Sequence, residues 1–352
     1  MVVAVTGSSG ALGAGVVRRL AALPPSTVRR VVAVDTTPSG SPWPDRVVER
    51  TADVRDPLLS LVLEDAHVVV HLAGLHRPGA DPDERRAVNV RGTESILLGA
   101  IAAGASHVVV VTSAMVYGAL PDNPVPLTEE APLRAPRDRS LVGDFVEIER
   151  LVEQLRVARV RPEITVLRPT TLVGPGADSV LTRHFEAPRL LVVRGSTPRW
   201  QFCHIEDLQD ACVLAATGRI AGGAVNVTPP GWLTQHEVQV RSGRLPLELP
   251  ASVATAVAER LHRAGLTLAP ASELAFVIHP WVVDSTRLHA AGWRPAYDHA
   301  AGLDAQLALS AGHTALAGRR VGIEDATRAA AGATVALIGT AAIVRRARRR
   351  RR

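Results

Sequence analysis

The chain has 352 residues, 47% of them hydrophobic, and a formal net charge of +6 at pH 7. That length allows one large or two medium domains with ample core, and the ordinary apolar content with no long polar low-complexity stretch excludes a disordered protein. Two cysteines, Cys203 and Cys212, exclude a disulfide framework and make a reducing, intracellular compartment the expectation.

The charge is unevenly placed. Seven arginines lie in residues 345–352; without them the chain carries 33 basic against 34 acidic residues, so the body is near neutral. All 40 basic residues are arginine, and the only tyrosines are Tyr117 and Tyr297. The N-terminus enters "VVAVTG" without a charged region, an apolar region or a cleavage site, so no signal peptide is read and a cytoplasmic location is expected.

Short β-branched runs at 2–5, 31–34, 67–72, 107–112 and 164–167 alternate with helical segments such as 11–23 and 84–103. Continuous runs of this kind suit parallel strands buried on both faces. The alternation predicts an α/β fold with a doubly wound, Rossmann-type parallel sheet. "TGSSGALG" (6–13) follows the first run and opens a helix. Gly7 permits the tight turn, Gly10 lets a pyrophosphate approach the backbone, and Gly13 allows close packing of helix on strand. The helix N-terminus offers free N–H groups and a positive dipole end to phosphates. Asp35 ends the second run; a carboxylate there accepts from an adenosine ribose and repels a 2′-phosphate, which favours NAD over NADP.

With these residues in place, the sequence resembles an extended short-chain dehydrogenase/reductase of the NAD-dependent epimerase/dehydratase type. The glycines fit that family's T-G-x-x-G-x-x-G spacing, with Ser9 and Leu12 between them. "ADVRD" (52–56) resembles the segment that meets the adenine, which puts Asp53 and Val54 there. "HLAG" (71–74) resembles the loop beside the cofactor, with Leu72, Ala73 and Gly74. "NVRGT" (89–93) supplies Asn89, and "TSAMVYG" (112–118) places the family's active-site serine at Ser113. "LRPTTLVGPG" (167–176), "FCHIEDL" (202–208) and "GWRP" (292–295) resemble later landmarks, so the similarity covers roughly residues 1–305.

The resemblance implies a bound NAD and an epimerisation, dehydration or reduction of a nucleotide sugar or similar carbonyl compound. It also implies a homodimer through a helix pair on the sheet's flank. Its chemistry uses the serine with a tyrosine and a lysine at i and i+4 on one helix, followed by a glutamate. Here the glutamate falls on Glu149, which puts Phe145 at the lysine and Leu141 at the tyrosine. Neither moves a proton, and no lysine exists to take the place. Leu141, Phe145, Ile148 and Val152 instead form an apolar stripe at helical spacing. Thr171 stands where many family epimerases carry an asparagine on the substrate side. The expectation is therefore an NAD-binding protein with impaired or altered chemistry. The alternative is a non-catalytic NAD sensor or scaffold. Asp138, Asp144, Glu147, His184 and His204 are the replacement acids or bases by residue type, Asp144 and Glu147 lying off the Leu141–Phe145 face.

The expected organisation is a cofactor domain at 1–176 with a return segment near 202–230. A discontinuous C-terminal substrate lobe takes 177–201 and 231–318, and an apolar segment with an arginine tail takes 319–352. In the lobe, 252–265 reads as an amphipathic helix closed by Gly265. Trp200, Trp232, Trp281 and Trp293 pack a core or line a pocket. No His, Cys and carboxylate spacing marks a metal site. Residues 329–344 are uncharged and mostly apolar, about 24 Å as a helix and shorter than a bilayer core of roughly 30 Å. Three readings stand for 329–352: docking on the body, contact with a membrane surface, or phosphate binding on nucleic acid, for which nothing in the body speaks.

Overall fold

The structure, a computed structural model, describes residues 1–264 and 271–310, together with the backbone of a short hairpin beyond them. Gly265 and the segment 329–352 lie outside the described residues.

The five expected runs become β1 (Val2–Thr6), β2 (Arg30–Asp35), β4 (Val68–His71), β5 (His107–Val111) and β6 (Glu163–Pro169), and with β3 (Val47–Thr51) and β11 (Gly223–Val227) they form one sheet of seven parallel strands. Their order across the sheet is β11-β6-β5-β4-β1-β2-β3. This is the doubly wound Rossmann-type sheet that the alternation predicts. The chain leaves β1 toward one edge and returns to β4 on its other side, so the strand order reverses between β1 and β4. A crevice forms outside the carboxyl ends of strands at such a reversal, and it is where ligands bind in open α/β sheets.

Successive β-branched residues point to opposite faces, and each face buries its own core. Val3, Val5, Val31, Ala33 and Val109 pack under α1 (Ala11–Ala22) and α7 (Ile205–Ala216). Val2, Ala4, Val32, Val69 and Val108 pack under α4 (Gly92–Ala102) and α5 (Leu141–Val157). Helices α1 and α7 approach closely because Gly15 leaves room for Gln209, which donates to the Ala11 carbonyl at 3.0 Å. The short α2 (Leu59–Val62) follows β3. Helix α3 (Pro82–Arg86) runs through a π-helical turn at Ala87–Arg91 into α4. Strand β3 was not read from the sequence: Val48, Glu49 and Thr51 are exposed and only Val47 and Arg50 are half-buried, as suits a sheet edge.

The remaining elements form a smaller lobe beside the carboxyl ends. It contains β7 (Thr171–Val173) with β10 (Phe202–His204), α6 (Val180–Glu186), β8 (Arg189–Val193) with β13 (Leu245–Leu249), and β9 (Arg199–Trp200) with β12 (Leu233–Thr234). Helices α8 (Gln235–Ser242), α9 (Ala251–Arg263) and α11 (His299–Leu309) complete it, whereas α10 (Thr286–Ala290) packs beside β11, with Leu288 in the core under α1 and α7 and Arg287 bonded to the Ala224 and Gly222 carbonyls. Gln201 acts as a clip: its side chain exchanges hydrogen bonds with both the N–H (2.8 Å) and the carbonyl (3.0 Å) of Val283 and donates to the Gly231 carbonyl at 2.8 Å. Trp200, Trp281 and Trp293 are buried, whereas Trp232 is exposed beneath the Arg199 guanidinium. The hairpin is β14 (His313–Leu316) paired antiparallel with β15 (Arg319–Gly322); it straddles residue 318, where the sequence suggested the lobe ends. No helix among the described residues is long and apolar enough to cross a membrane.

Candidate functional site

A cavity of about 1410 Å³ lies at the amino ends of β5, β6 and β11 among mixed arginines and glutamates, at the opposite end of the strands from the glycine loop. A second cavity of about 450 Å³ occupies the crevice at the carboxyl ends. It is continuous from Gly7, Gly10, Leu12 and Gly13, past 72–74 and Asn89, to Ser113, Leu141, Phe145 and Thr171. Most of the sequence-derived site residues therefore meet on one wall. Ser9, Asp35, Asp53 and Val54 do not line it.

The glycine loop is shaped by close approach. Gly7 has φ +73°, and a Cβ there would stand 2.7 Å from the Ala73 nitrogen. A Cβ on Gly13 would stand 2.0 Å from the Gly7 carbonyl oxygen. Both positions require glycine for the fold itself. Gly10 differs: its Cβ would meet nothing nearer than 3.5 Å. Its bare backbone instead faces the cavity as the N-cap of α1, with no side chain satisfying the first N–H groups. Such a helix end is a ready anion site. The cradle has room and free N–H groups for a dinucleotide pyrophosphate. Asp35 sits beside this end, accepting from the Ser9 N–H at 2.9 Å and the Thr36 N–H at 2.7 Å, and is half-buried. Asp53 is engaged by the Arg55 guanidinium at 2.6 Å, and Arg55 also reaches Glu84. That hydrogen bond holds the Asp53 carboxyl below its ordinary pKa.

Behind the wall lies a set of buried polar residues. His71 is held between two threonines, Thr6 at 2.8 Å and Thr93 at 3.0 Å. Thr93 donates its own hydroxyl proton to the Asn89 carbonyl, so it accepts from His71 Nε2–H, and Thr6 donates to Nδ1. Burial pushes the His71 pKa down to about 3, which keeps the ring neutral. Asn89, in the π-helical turn, accepts from the Leu75 N–H at 2.7 Å and so fixes the loop after β4.

Helix α5 starts at Ser140, whose hydroxyl accepts from the Gly143 N–H at 3.0 Å. Its first two turns show Leu141 and Phe145 to the cavity. Phe145 is only 6% exposed, and neither side chain carries a polar atom. Four residues on, Glu149 lies in the interior. It takes a bidentate pair of hydrogen bonds from Arg168 (2.8 and 2.9 Å) and one from Thr112 (2.8 Å). Arg168 donates to the Tyr117 hydroxyl at 2.7 Å, and Tyr117 donates to Asn226 at 2.9 Å. Tyr117 is fully buried, and that burial pushes its phenol pKa up despite the Arg168 cation. Its hydroxyl is committed in both directions, to Arg168 and to Asn226.

The acids and bases named by residue type separate clearly. Asp144 is buried and held by Arg85 at 2.8 Å, with Arg86 and Asn89 beside it. Glu147 pairs with Arg150. His204 caps α7 and stacks on Tyr297, and His184 stacks on Trp200. Of these, Asp138 faces an opening, a 350 Å³ cavity that adjoins the crevice cavity through His76, Met115 and Leu141. Two residues there escaped the sequence reading. Glu273 lines that cavity, and burial, reinforced by Asp138, pushes its carboxyl up to about 7. His76 lines both cavities and packs edge-on against Phe145, ring centroids 5.4 Å apart. Its only sequence signal is its place two residues beyond "HLAG".

Comparison with known proteins places this architecture. A model of the NAD dependent epimerase/dehydratase family matches residues 3–228. The chain belongs to this NAD-dependent family. An uncharacterised protein of Mycobacterium bovis is 30% identical over 309 residues, spanning 84% of this chain and 80% of the relative. An uncharacterised Mycobacterium tuberculosis protein matches to the same extent. Among solved structures, MoeE5 in complex with UDP-glucuronic acid and NAD is similar, with a TM-score of 0.65 and 23% identity, over 88% of this chain and 98% of that one. The Thermus thermophilus UDP-glucose 4-epimerase complex with NAD gives a TM-score of 0.63 at 21% identity, over 89% and 99% of the two chains. DesIV, a dTDP-glucose 4,6-dehydratase from Streptomyces venezuelae, gives 0.64 at 20% identity, over 88% and 96%. At these identities the likeness to solved structures is one of fold.

Proposed function

We propose that this family member binds NAD across the carboxyl ends of its sheet and acts, with altered or impaired proton chemistry, on a nucleotide sugar or similar carbonyl compound. The observation that carries the reading is the single cavity running from the glycine loop to Ser113, Leu141 and Phe145. In this reading Gly7, Ser9, Gly10, Leu12 and Gly13 surround the pyrophosphate. Asp35 accepts from the adenosine ribose, and Asp53 and Val54 lie toward the adenine. Leu72, Ala73, Gly74 and Asn89 form the loop beside the cofactor, and Ser113 and Thr171 face the substrate. NAD, when bound, supplies the hydride acceptor. Ser113 orients a substrate oxygen, but Leu141 and Phe145 neither give nor take its proton. The similarity to MoeE5 with UDP-glucuronic acid, to the UDP-glucose 4-epimerase and to the dTDP-glucose 4,6-dehydratase supports a nucleotide-sugar class.

The test is a calorimetric titration of the purified protein with NAD⁺ and NADP⁺, followed by cofactor absorbance with UDP-glucose and dTDP-glucose. Binding of NAD⁺ well above NADP⁺ is expected. Binding of neither sinks the proposal. A second reading, a non-catalytic NAD sensor or scaffold, draws on the burial of Phe145 where a lysine would stand. It expects NAD⁺ binding with no absorbance change on any sugar. Its membrane part rests on 329–352, and deleting that segment should then move the protein out of the membrane fraction.

A further inference from the structure

We propose that His76 is the side chain that hydrogen-bonds the nicotinamide ribose of NAD, in a site whose helix α5 offers it nothing; the inference rests on the NAD-binding reading above. A dinucleotide with its pyrophosphate on the N-terminus of α1 spreads its two nucleosides to either side of the strand-order reversal. One side is β2 with Asp35. The other is the cavity wall formed after β4 and β5, with Ser113, Phe145 and His76. A ribose there brings two hydroxyls, and burying them without partners is costly.

Besides Asn89 and hydroxyl side chains such as Ser113, Thr170 and Thr171, the wall offers few polar groups. Its titratable side chains are His71, His76, Arg77 and Asp178. His71 has both ring nitrogens engaged by Thr6 and Thr93. Asp178 is bonded by Arg183 at 2.7 Å. Arg77 and His76 are both exposed and both line the cavity, but among the described ring contacts only His76 is packed, against Phe145. His76 remains, and its position is built. A Cβ on Gly74 would stand 2.4 Å from His76 Nε2, so the imidazole lies back over Gly74, where any larger residue would displace it. The ring then rests edge-on against Phe145, at the mouth of the position that lacks a cation. Among the described hydrogen bonds, neither His76 ring nitrogen has a protein partner. A neutral imidazole offers one donor and one acceptor, which is the pairing that a ribose hydroxyl uses.

The test compares ligands that differ only beyond the pyrophosphate. Calorimetry on the full chain would use NAD⁺, ADP-ribose and ADP, with His76→Ala and His76→Gln. His76→Ala should weaken NAD⁺ and ADP-ribose by the same factor, roughly 2- to 13-fold for one hydrogen bond, and leave ADP unchanged. His76→Gln, which keeps a donor and an acceptor, should recover most of the loss. The proposal fails if His76→Ala leaves NAD⁺ affinity within twofold of the parent, or if ADP weakens equally, since the effect would then be on the loop. A parent protein that binds neither NAD⁺ nor ADP would instead overturn the NAD-binding reading itself.

Discussion

Within two turns, α5 carries side chains of opposite chemistry. Leu141 and Phe145 face the cavity and are apolar. Glu149 borders the other cavity, at the amino ends of the strands, and is charged, locked to Arg168, Thr112 and, through Arg168, to Tyr117 and Asn226. The usual rule would put the charge at the cavity and the apolar residues inside. The difference shows what constrains each end. A polar side chain at a cavity answers to a ligand, and it can be replaced by an apolar one that packs on its neighbours. A buried ion pair answers to its partner, because removing one member leaves an uncompensated charge in the core.

The sharpest way to break this contrast is Glu149→Ala. It strands Arg168, which is 7% exposed in the salt bridge, and should cost about 3–5 kcal/mol of stability, read from urea unfolding. A cost below about 1 kcal/mol would show that the network is not what holds Glu149. Gly13→Ala comes next: its Cβ would press on the Gly7 carbonyl, lowering stability by about 1–3 kcal/mol and removing NAD⁺ binding by calorimetry.

The third test uses pH. His71 has a folded pKa lowered to about 3 by burial, against about 6.5 unfolded. Its contribution to stability is therefore fully present above pH 6.5 and is lost as pH falls toward 3. At pH 5 the loss is about 2 kcal/mol. His71→Gln should flatten that slope, and the difference between the two proteins isolates it from the opposing effect of Glu273. An unchanged slope would mean that the ring is not buried neutral. The smallest effect is expected at the cavity end of α5. Leu141→Tyr has the cavity to expand into and should change stability by under about 1 kcal/mol; a loss as large as that of Glu149→Ala would erase the contrast.

Much of the fold was legible because buried parallel strands write themselves as β-branched runs, and because the spacing of Gly7, Gly10 and Gly13 has few other uses. The edge strand β3 was missed because one of its faces meets water, leaving no such run. The pairing of β8 with β13 was missed because it joins segments more than fifty residues apart with no local signal. The apolar character of 141 and 145 was plain, but not its counterpart. His76 and Glu273 matter through which cavity they face, and a lone histidine or glutamate in a sequence carries no direction.

The Gln201 clip has a consequence for the order of events in folding. It joins Gln201 to Val283 and Gly231, residues 82 and 30 positions away, so it closes only after those loops have been brought together and their entropy given up. A contact made that late is formed on the native side of the barrier. Its loss in Gln201→Ala should appear as faster unfolding with refolding unchanged, which makes the clip a latch on the lobe's lifetime and leaves the sheet's assembly to its own strands.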